Sequence, residues 1–531
     1  MRRTLVLGLD GATFRVLRPL LDDGHLPHIA SLVETGASGT LTSSMPPVTG
    51  PAWLSLATGQ SPGSTGVYDF IRRVPESEGY EFQYIDASTY EGVAVWDYLE
   101  DAGTRVGVVD YPTLSPPYDV SGFMVSGGLG TEETTTHPPD FGEELTAFDV
   151  AGHIDIGAEE YADLSTFADD IRTNLAARLD RLEYVLETQS WEFCWAVLQE
   201  PDWVQHLMWK CFDENHPDAT AVTEAERELF VDFWRQVDDG VGRCRDLVGE
   251  DGNLVLVSDH GFGPMEDQSF RLNTWLKQEG YLVPKSGGST HYWLKKRLWN
   301  TLSRVASAVD LQQRAPSLFR WGKNELSEMA IELNAIDLDY TTVFDPGHIQ
   351  SMGGLYVNER VVDPDKRTAL RDEVREKLHD FATTEDFSLE TYTPEELYGA
   401  KAPGSPDLLV RSAGTNIENG GWDRPVVDRR PERLSHQNGS HRRDGILVAA
   451  GPDFRSTRID EAHIWDIAPT LLHLFRNKVP ESMDGAVLTE ILEGDSGVQY
   501  TDASLRESDG DTGRADGQAI EKQLRDLGYF E

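Results

Sequence analysis

The sequence predicts an α/β protein built on a doubly wound, mostly parallel sheet flanked by helices. Two observations carry this expectation. Five short runs are almost continuously apolar, as strands covered on both faces must be. They are TLVLGLD at 4–10, RVGVVDYP at 105–112, EFCWAVLQEPD at 192–202, NLVLVSDHG at 253–261 and DGILVAAGP at 444–452. Between them lie helix-patterned segments, such as HIASLVETG at 28–36 and VWDYLEDAG at 95–103. The second ends at a Gly, the residue that most readily takes the left-handed turn closing a helix. Strands alternating with helices imply a parallel sheet with helices on both faces.

Taken in order, the N-terminus MRRTLVLGLDGATF has basic residues and a short apolar run but no small-residue cleavage site. It reads as a first strand and not as a signal peptide. No apolar run approaches the ~20 residues that a membrane span needs. A soluble, cytoplasmic protein is therefore expected. Residues 285–345 form a helix-rich, locally basic stretch, too long for a plain crossover connection. They are expected to form an insertion or cap. The end of the chain is polar, acidic and rich in Gly, Ser and Asp, which predicts a weakly ordered tail.

Bulk composition narrows the function. Of 531 residues, 91 are acidic and 47 basic, for a formal charge of −44. Such a surface repels duplex nucleic acid and anionic membranes. Acidity spread along the whole chain also fits a protein kept soluble at high salt, where screening removes self-repulsion. A halophilic source is the expectation. The three cysteines, Cys194, Cys211 and Cys244, lack CxxC spacing, which argues against a disulfide framework and a thiolate metal site.

Chemistry-bearing residues cluster at strand ends. Asp10, Asp202 and Asp259 each follow an apolar run, and ligands bind at the carboxyl ends of strands in such sheets. In EPDWVQHLMW, Asp202 and His206 stand four apart, on one face of a helix. In VSDHGFGP, Asp259 and His260 precede a Gly-rich turn that lets both enter one cleft. SHQNGSHRRDGILVAAGP adds His436 and His441 before another strand. Singly, these residues read as salt bridges, turn caps or surface histidines. Together, three carboxylates and three imidazoles suit zinc, or manganese where oxygen dominates. Two such ions about 4 Å apart are an arrangement for phosphoryl transfer. Thr49, in MPPVTGPAWLSLATG, reads locally as a helix cap. A cation on its oxygen would instead make the hydroxyl a nucleophile, and the helix N-terminus begun by Pro51 would favour phosphate there.

The motifs LVLGLDGATF, MPPVTGPAWLSLATGQSPGSTGVYDF, EPDWVQHLMW, VSDHGFGP and SHRRDGILVAAGP, in this order, resemble the alkaline phosphatase superfamily. The similarity is strongest to its type I phosphodiesterase/nucleotide pyrophosphatase branch. IWDIAPTLLHLF and PESMDG extend the resemblance to about residue 490. It implies a catalytic core over 1–270 and 400–492, an insertion over 271–399 and a tail over 493–531. It further implies two divalent metal ions, one held by Asp10, Thr49, Asp259 and His260, the other by Asp202, His206 and His441. His441 is preferred to His436 because it directly precedes RRDGILVAAGP, where the family has its last histidine. Thr49 would attack phosphorus, giving a phospho-threonine that water hydrolyses, and Gly50 and Phe70 would border a small phosphorylated substrate. Phe70 stands where nucleotide pyrophosphatases carry an Asn that binds a phosphate oxygen, and Asn273 is no secure substitute. The competing readings are a phosphoglycerate mutase-like phosphotransferase and a member that binds a phosphorylated ligand without turnover. The mutase would need a Ser nucleophile and an inserted transferase domain, and neither is found.

Overall fold

The computed structural model describes residues 2–75, 80–126, 134–152, 154, 156, 161, 163–285, 335–347, 352–418, 425–429, 437–494, 497–502, 505, 520, 523 and 524. The chain divides into two compact units. The first comprises Met1–Arg72, Phe82–Met265 and Arg433–Gly528, and the second Arg73–Glu81, Glu266–Glu432 and Tyr529–Glu531.

The first unit is built on a nine-stranded sheet. In chain order its strands are β1 (Thr4–Leu9), β2 (Ala37–Thr42), β3 (Val106–Val109), β4 (Phe123–Ser126), β5 (Thr135–His137), β6 (Phe193–Leu198), β7 (Asn253–Val257), β8 (Asp444–Ala450) and β9 (Thr457–Ile459). Their order across the sheet is β9-β2-β8-β7-β1-β6-β3-β4-β5. The five apolar runs are all strands. β1 is buried along its whole length and pairs in parallel with β6 and β7. β8 departs from the parallel arrangement and runs antiparallel to β7 and β2. Four helices matter below: α1 (Thr49–Thr58), α2 (Leu164–Thr188), α3 (Glu200–Phe212) and α4 (Glu224–Val248).

This strand order explains where the chemistry collects. β7, β1 and β6 are parallel neighbours, so the residues that follow them emerge side by side at one edge. Those residues lead to Asp259, Asp10 and Asp202. Because β8 runs the other way, the residues before it lie at the same edge, which places His441 there. β2 is antiparallel to β8, so its outgoing end delivers the chain to Thr49. A two-stranded ribbon, Gly261–Pro264 against Gly439–Arg442, pairs Phe262 with His441 and closes the group.

In the second unit, an antiparallel sheet orders Val343–Phe344, Met352–Val357, Leu408–Arg411 and Glu390–Tyr392. A three-stranded sheet sets Gln268–Arg271 between Asn416–Glu418 and Val427–Arg429. This unit runs on to Glu432, past the 399 expected, because 408–411 and 416–418 pair with its own strands. Most of the stretch at 285–345 and of the tail lies outside the described residues. Among the described residues, no helix is long and apolar enough to cross a membrane.

Candidate metal and nucleophile site

Seven expected residues, Asp10, Thr49, Asp202, His206, Asp259, His260 and His441, come together in the first unit, each less than a tenth exposed. Asp10 follows β1 directly, and Asp259 and His260 follow β7. α3 opens with Glu200-Pro201-Asp202, so Asp202 sits in its first turn and His206 one turn on, on the same face. The Asp202 carboxylate lies 3.5 Å from His206 Nε2, 3.2 Å from His441 Nε2 and 3.9 Å from His260 Nε2. His260 Nε2 is 3.6 Å from Asp10 Oδ1 and 3.3 Å from Asp259 Oδ2.

The three imidazoles share one arrangement. His206 Nδ1 faces Gly439 O at 3.2 Å, His260 Nδ1 faces Gly261 O at 3.2 Å, and His441 Nδ1 faces Pro47 O at 3.1 Å. A carbonyl only accepts, so each contact places the proton on Nδ1 and leaves a lone pair on Nε2. Metal-binding histidines are oriented in this way by a carbonyl behind the ring. The Nε2 atoms of His206 and His441 then face each other at 3.0 Å with lone pairs inward. Among the described residues, nothing donates a well-formed hydrogen bond to three buried carboxylate oxygens, Asp10 Oδ1, Asp202 Oδ1 and Asp259 Oδ2. Two groups, Asp202–His260–His441 and Asp10–Asp259–His260, each keep their ligand atoms within 4.8 Å of one another. Inward lone pairs and orphaned carboxylate oxygens fit divalent cations.

Electrostatics agree with that fit. Burial, followed by the charges of Asp259 and Asp202, pushes the Asp10 carboxyl well above its usual range. Burial pushes Asp259 up to about 8. Burial also works against Asp202, yet the facing His206, His441 and His260 outweigh it and hold it at about 2. Burial lowers His206 to about 4 and His260 well below its usual value. Burial therefore keeps His206 and His260 neutral near pH 7, as ligands must be.

Thr49 is the first residue of α1, and its Oγ1 lies 3.4 Å from His260 Nε2. Val48, not Thr49, takes the N-cap position, with Ala52 N–H donating to its carbonyl. The side chain expected to cap the helix instead stands beside the imidazole. Gly50 is hemmed in: a Cβ there would come 3.0 Å from Ile85 and 3.1 Å from the Phe70 ring. Phe70 is 2% exposed and packs against that glycine. Asn273 lies in the second unit, where it exchanges hydrogen bonds with the Asp345 backbone. His436 lies outside the described residues.

Several site residues carry no motif of their own. Gly11 N–H donates to Asp259 Oδ1 at 3.2 Å. Gly11 sits at φ +68°, with Phe262 and the Asp202 backbone where a Cβ would go. Gln205 ties Pro201 O to Gly11 O, 2.9 Å from each. Phe262 lies beneath the imidazoles, 4.8 Å from His206 and 5.3 Å from His441 between ring centres. The Trp53 indole donates to Asp10 Oδ2 at 3.1 Å. Its spacing of four from Thr49 on a helix is the one signal the sequence offers for it.

A mostly parallel sheet that gathers acids, imidazoles and a helix-terminal hydroxyl at one edge defines an α/β protein with a candidate metal site. More narrowly, the chain belongs to the type I phosphodiesterase/nucleotide pyrophosphatase family, whose profile matches residues 4–441. This is a family of hydrolases acting on phosphoric esters. No curated protein matches the chain in sequence. Among solved structures, it is similar to human ectonucleotide pyrophosphatase/phosphodiesterase 5, at 14% identity and a TM-score of 0.49 over 93% of this chain and 100% of that one. It is likewise similar to the murine protein, crystallised as an inactive variant with AMP, at 14% identity and a TM-score of 0.49 over 90% of this chain and 96% of that one.

Proposed function

We propose that this chain is a two-metal phosphohydrolase that cleaves phosphodiesters or phosphomonoesters of small molecules through Thr49. The inward Nε2 lone pairs of His206, His260 and His441, each enforced by a carbonyl behind the ring, carry this reading. Asp10, Thr49, Asp259 and His260 would hold one divalent cation, and Asp202, His206 and His441 the other, zinc or manganese by donor type. When bound, such ions supply Lewis-acid stabilisation of developing negative charge.

The chain's own residues supply the rest. Thr49 Oγ1 gives its proton to solvent and attacks phosphorus; the new O–P bond forms as the bond to the leaving oxygen breaks, and that oxygen takes a proton from solvent to leave as an alcohol. The N–H groups of Thr49 and Gly50, which open α1 ahead of Pro51, would receive the phosphoryl oxygens, where a helix N-terminus favours negative charge. Water then attacks the phospho-threonine, releasing phosphate or a monoester and restoring the hydroxyl. Phe70, packed on Gly50, leaves the recognition of phosphate to those amides and the cations.

The test is turnover of p-nitrophenyl phosphate and bis(p-nitrophenyl) phosphate by metal-loaded protein. Thr49→Ala is expected to abolish turnover of both while the chain keeps its fold and most of its metal. Full activity in that variant, or no turnover of either ester by the wild-type chain, contradicts the proposal.

A further inference from the structure

We infer that Trp53 is a positioning residue that sets both the carboxylate of Asp10 and the distance of the nucleophile's helix from it. The inference rests on the two-cation reading above. Thr49 and Trp53 lie one turn apart on α1, so one helix carries the nucleophile and this indole. Trp53 is fully buried, and its N–H donates to Asp10 Oδ2 at 3.1 Å. That bond occupies one carboxylate oxygen. The other, Oδ1, is buried, accepts no hydrogen bond and lies 3.6 Å from His260 Nε2. The indole thereby selects which oxygen faces the cluster and stops the carboxylate from turning.

Trp53 is itself held by three contacts. Its outer edge lies over Gly8, where a Cβ would come within 2.4 Å of the ring. The Trp53 backbone carbonyl accepts from the Tyr111 hydroxyl at 2.7 Å, and the Tyr111 ring meets the indole edge-on at 5.3 Å between centres. A shift of α1 would therefore drag Asp10, and a shift of β1 would push α1. Partners of metal ligands commonly contribute 10- to 100-fold in metal affinity.

The same aromatic cluster contains an internal control. Trp195 is fully buried, lies 5.5 Å from Tyr111 between ring centres, and has a buried indole nitrogen with no hydrogen-bond partner among the described residues. Removing that N–H changes packing as much and the site not at all.

The experiment titrates metal-free full-length protein with Zn2+ against a chromophoric chelator. Wild type, Trp53→Phe and Trp195→Phe are compared. Trp53→Phe is expected to weaken one of two Zn2+ sites about 10- to 100-fold and leave the other unchanged, while Trp195→Phe leaves both unchanged. A wild-type chain that binds two ions and a Trp53→Phe variant that binds them equally well overturns this inference alone. Equal weakening by Trp195→Phe overturns it too, because packing would then be the cause. A wild-type chain that binds no divalent metal overturns the two-cation reading as well. Should Trp53→Phe fail to fold, wild-type protein with 15N-labelled indoles decides. Zn2+ is expected to shift an indole N–H resonance, and no shift among the 13 tryptophans overturns the inference.

Discussion

Two clusters of buried charge stand at the same edge of the nine-stranded sheet, and they are built on opposite principles. One is the candidate metal site. The other joins Asp110, which follows β3, to Glu200 at the start of α3 through Arg178 and Arg181 of α2. All four side chains are at most 1% exposed. Arg181 Nη2 donates to both Asp110 oxygens at 2.7 and 2.6 Å. Arg178 Nε donates to Glu200 at 2.6 Å, and its Nη1 lies 2.8 Å from Asp110. Asn174 donates to the same Glu200 oxygen at 2.9 Å. Two cations meet two anions, and the cluster is neutral without outside help. The candidate metal site sets three acids against three imidazoles and, among the described residues, leaves the oxygens Asp10 Oδ1, Asp202 Oδ1 and Asp259 Oδ2 without a hydrogen bond. Buried acids, then, do not mark a functional site; buried acids whose balancing charge is missing from the chain do.

The comparison can be broken most forcefully at Arg178. Arg178→Met leaves Glu200 buried without its cation, which typically costs about 3–5 kcal/mol. Denaturant unfolding is expected to show that loss equally with and without Zn2+. A loss that Zn2+ abolishes would mean that the two clusters are one system.

Asp345 in the second unit offers an intermediate case. It is fully buried and pairs with no cation among the described residues, but its carboxylate accepts N–H groups from Gly347 and Gly354, each at 2.8 Å. Burial raises it to about 7, from a usual 3.8. The folded chain keeps this proton when the unfolded chain has lost it. Its contribution to stability is therefore present below pH 3.8 and lost as pH rises to about 7, at about 1.4 kcal/mol per pH unit. Asp345→Asn is expected to remove that slope from unfolding curves measured across this window. A slope that survives unchanged would show that Asp345 ionises normally.

The smallest effect sharpens the contrast best. In metal-free protein, Asp259→Asn replaces a carboxyl held near pH 8 by a neutral group of the same shape, and its oxygen can still accept from Gly11. Stability at pH 7 is expected to change by less than about 1 kcal/mol, far less than at Arg178. A cost of several kcal/mol would place Asp259 in a satisfied structural network.

Much of this was legible from residue order. The apolar runs marked five strands, and the acids that follow three of them marked the edge where ligands gather. Strand order was not legible, because pairing between residues as distant as Leu5 and Leu254 leaves no local trace. β2, written ASGTLT, has no apolar run at all. Gly39 is needed there because a Cβ would strike the Ile459 backbone at 2.4 Å. Asp110, Arg178, Arg181 and Glu200 are scattered over ninety positions and read singly as solvated charge. His441 was separable from His436 only through the family resemblance, since both stand in one polar stretch of sequence ahead of DGILVAA. The role of Thr49 needed its neighbours: its own segment indicates a cap, and the structure gives the cap position to Val48.

The most direct test of the central claim is the metal content of the purified wild-type chain after equilibrium dialysis against Zn2+ and, separately, Mn2+. Two tightly held ions per chain are expected, falling to one in Asp202→Asn. A chain that retains no ion, or an Asp202→Asn variant that still retains two, would contradict the account.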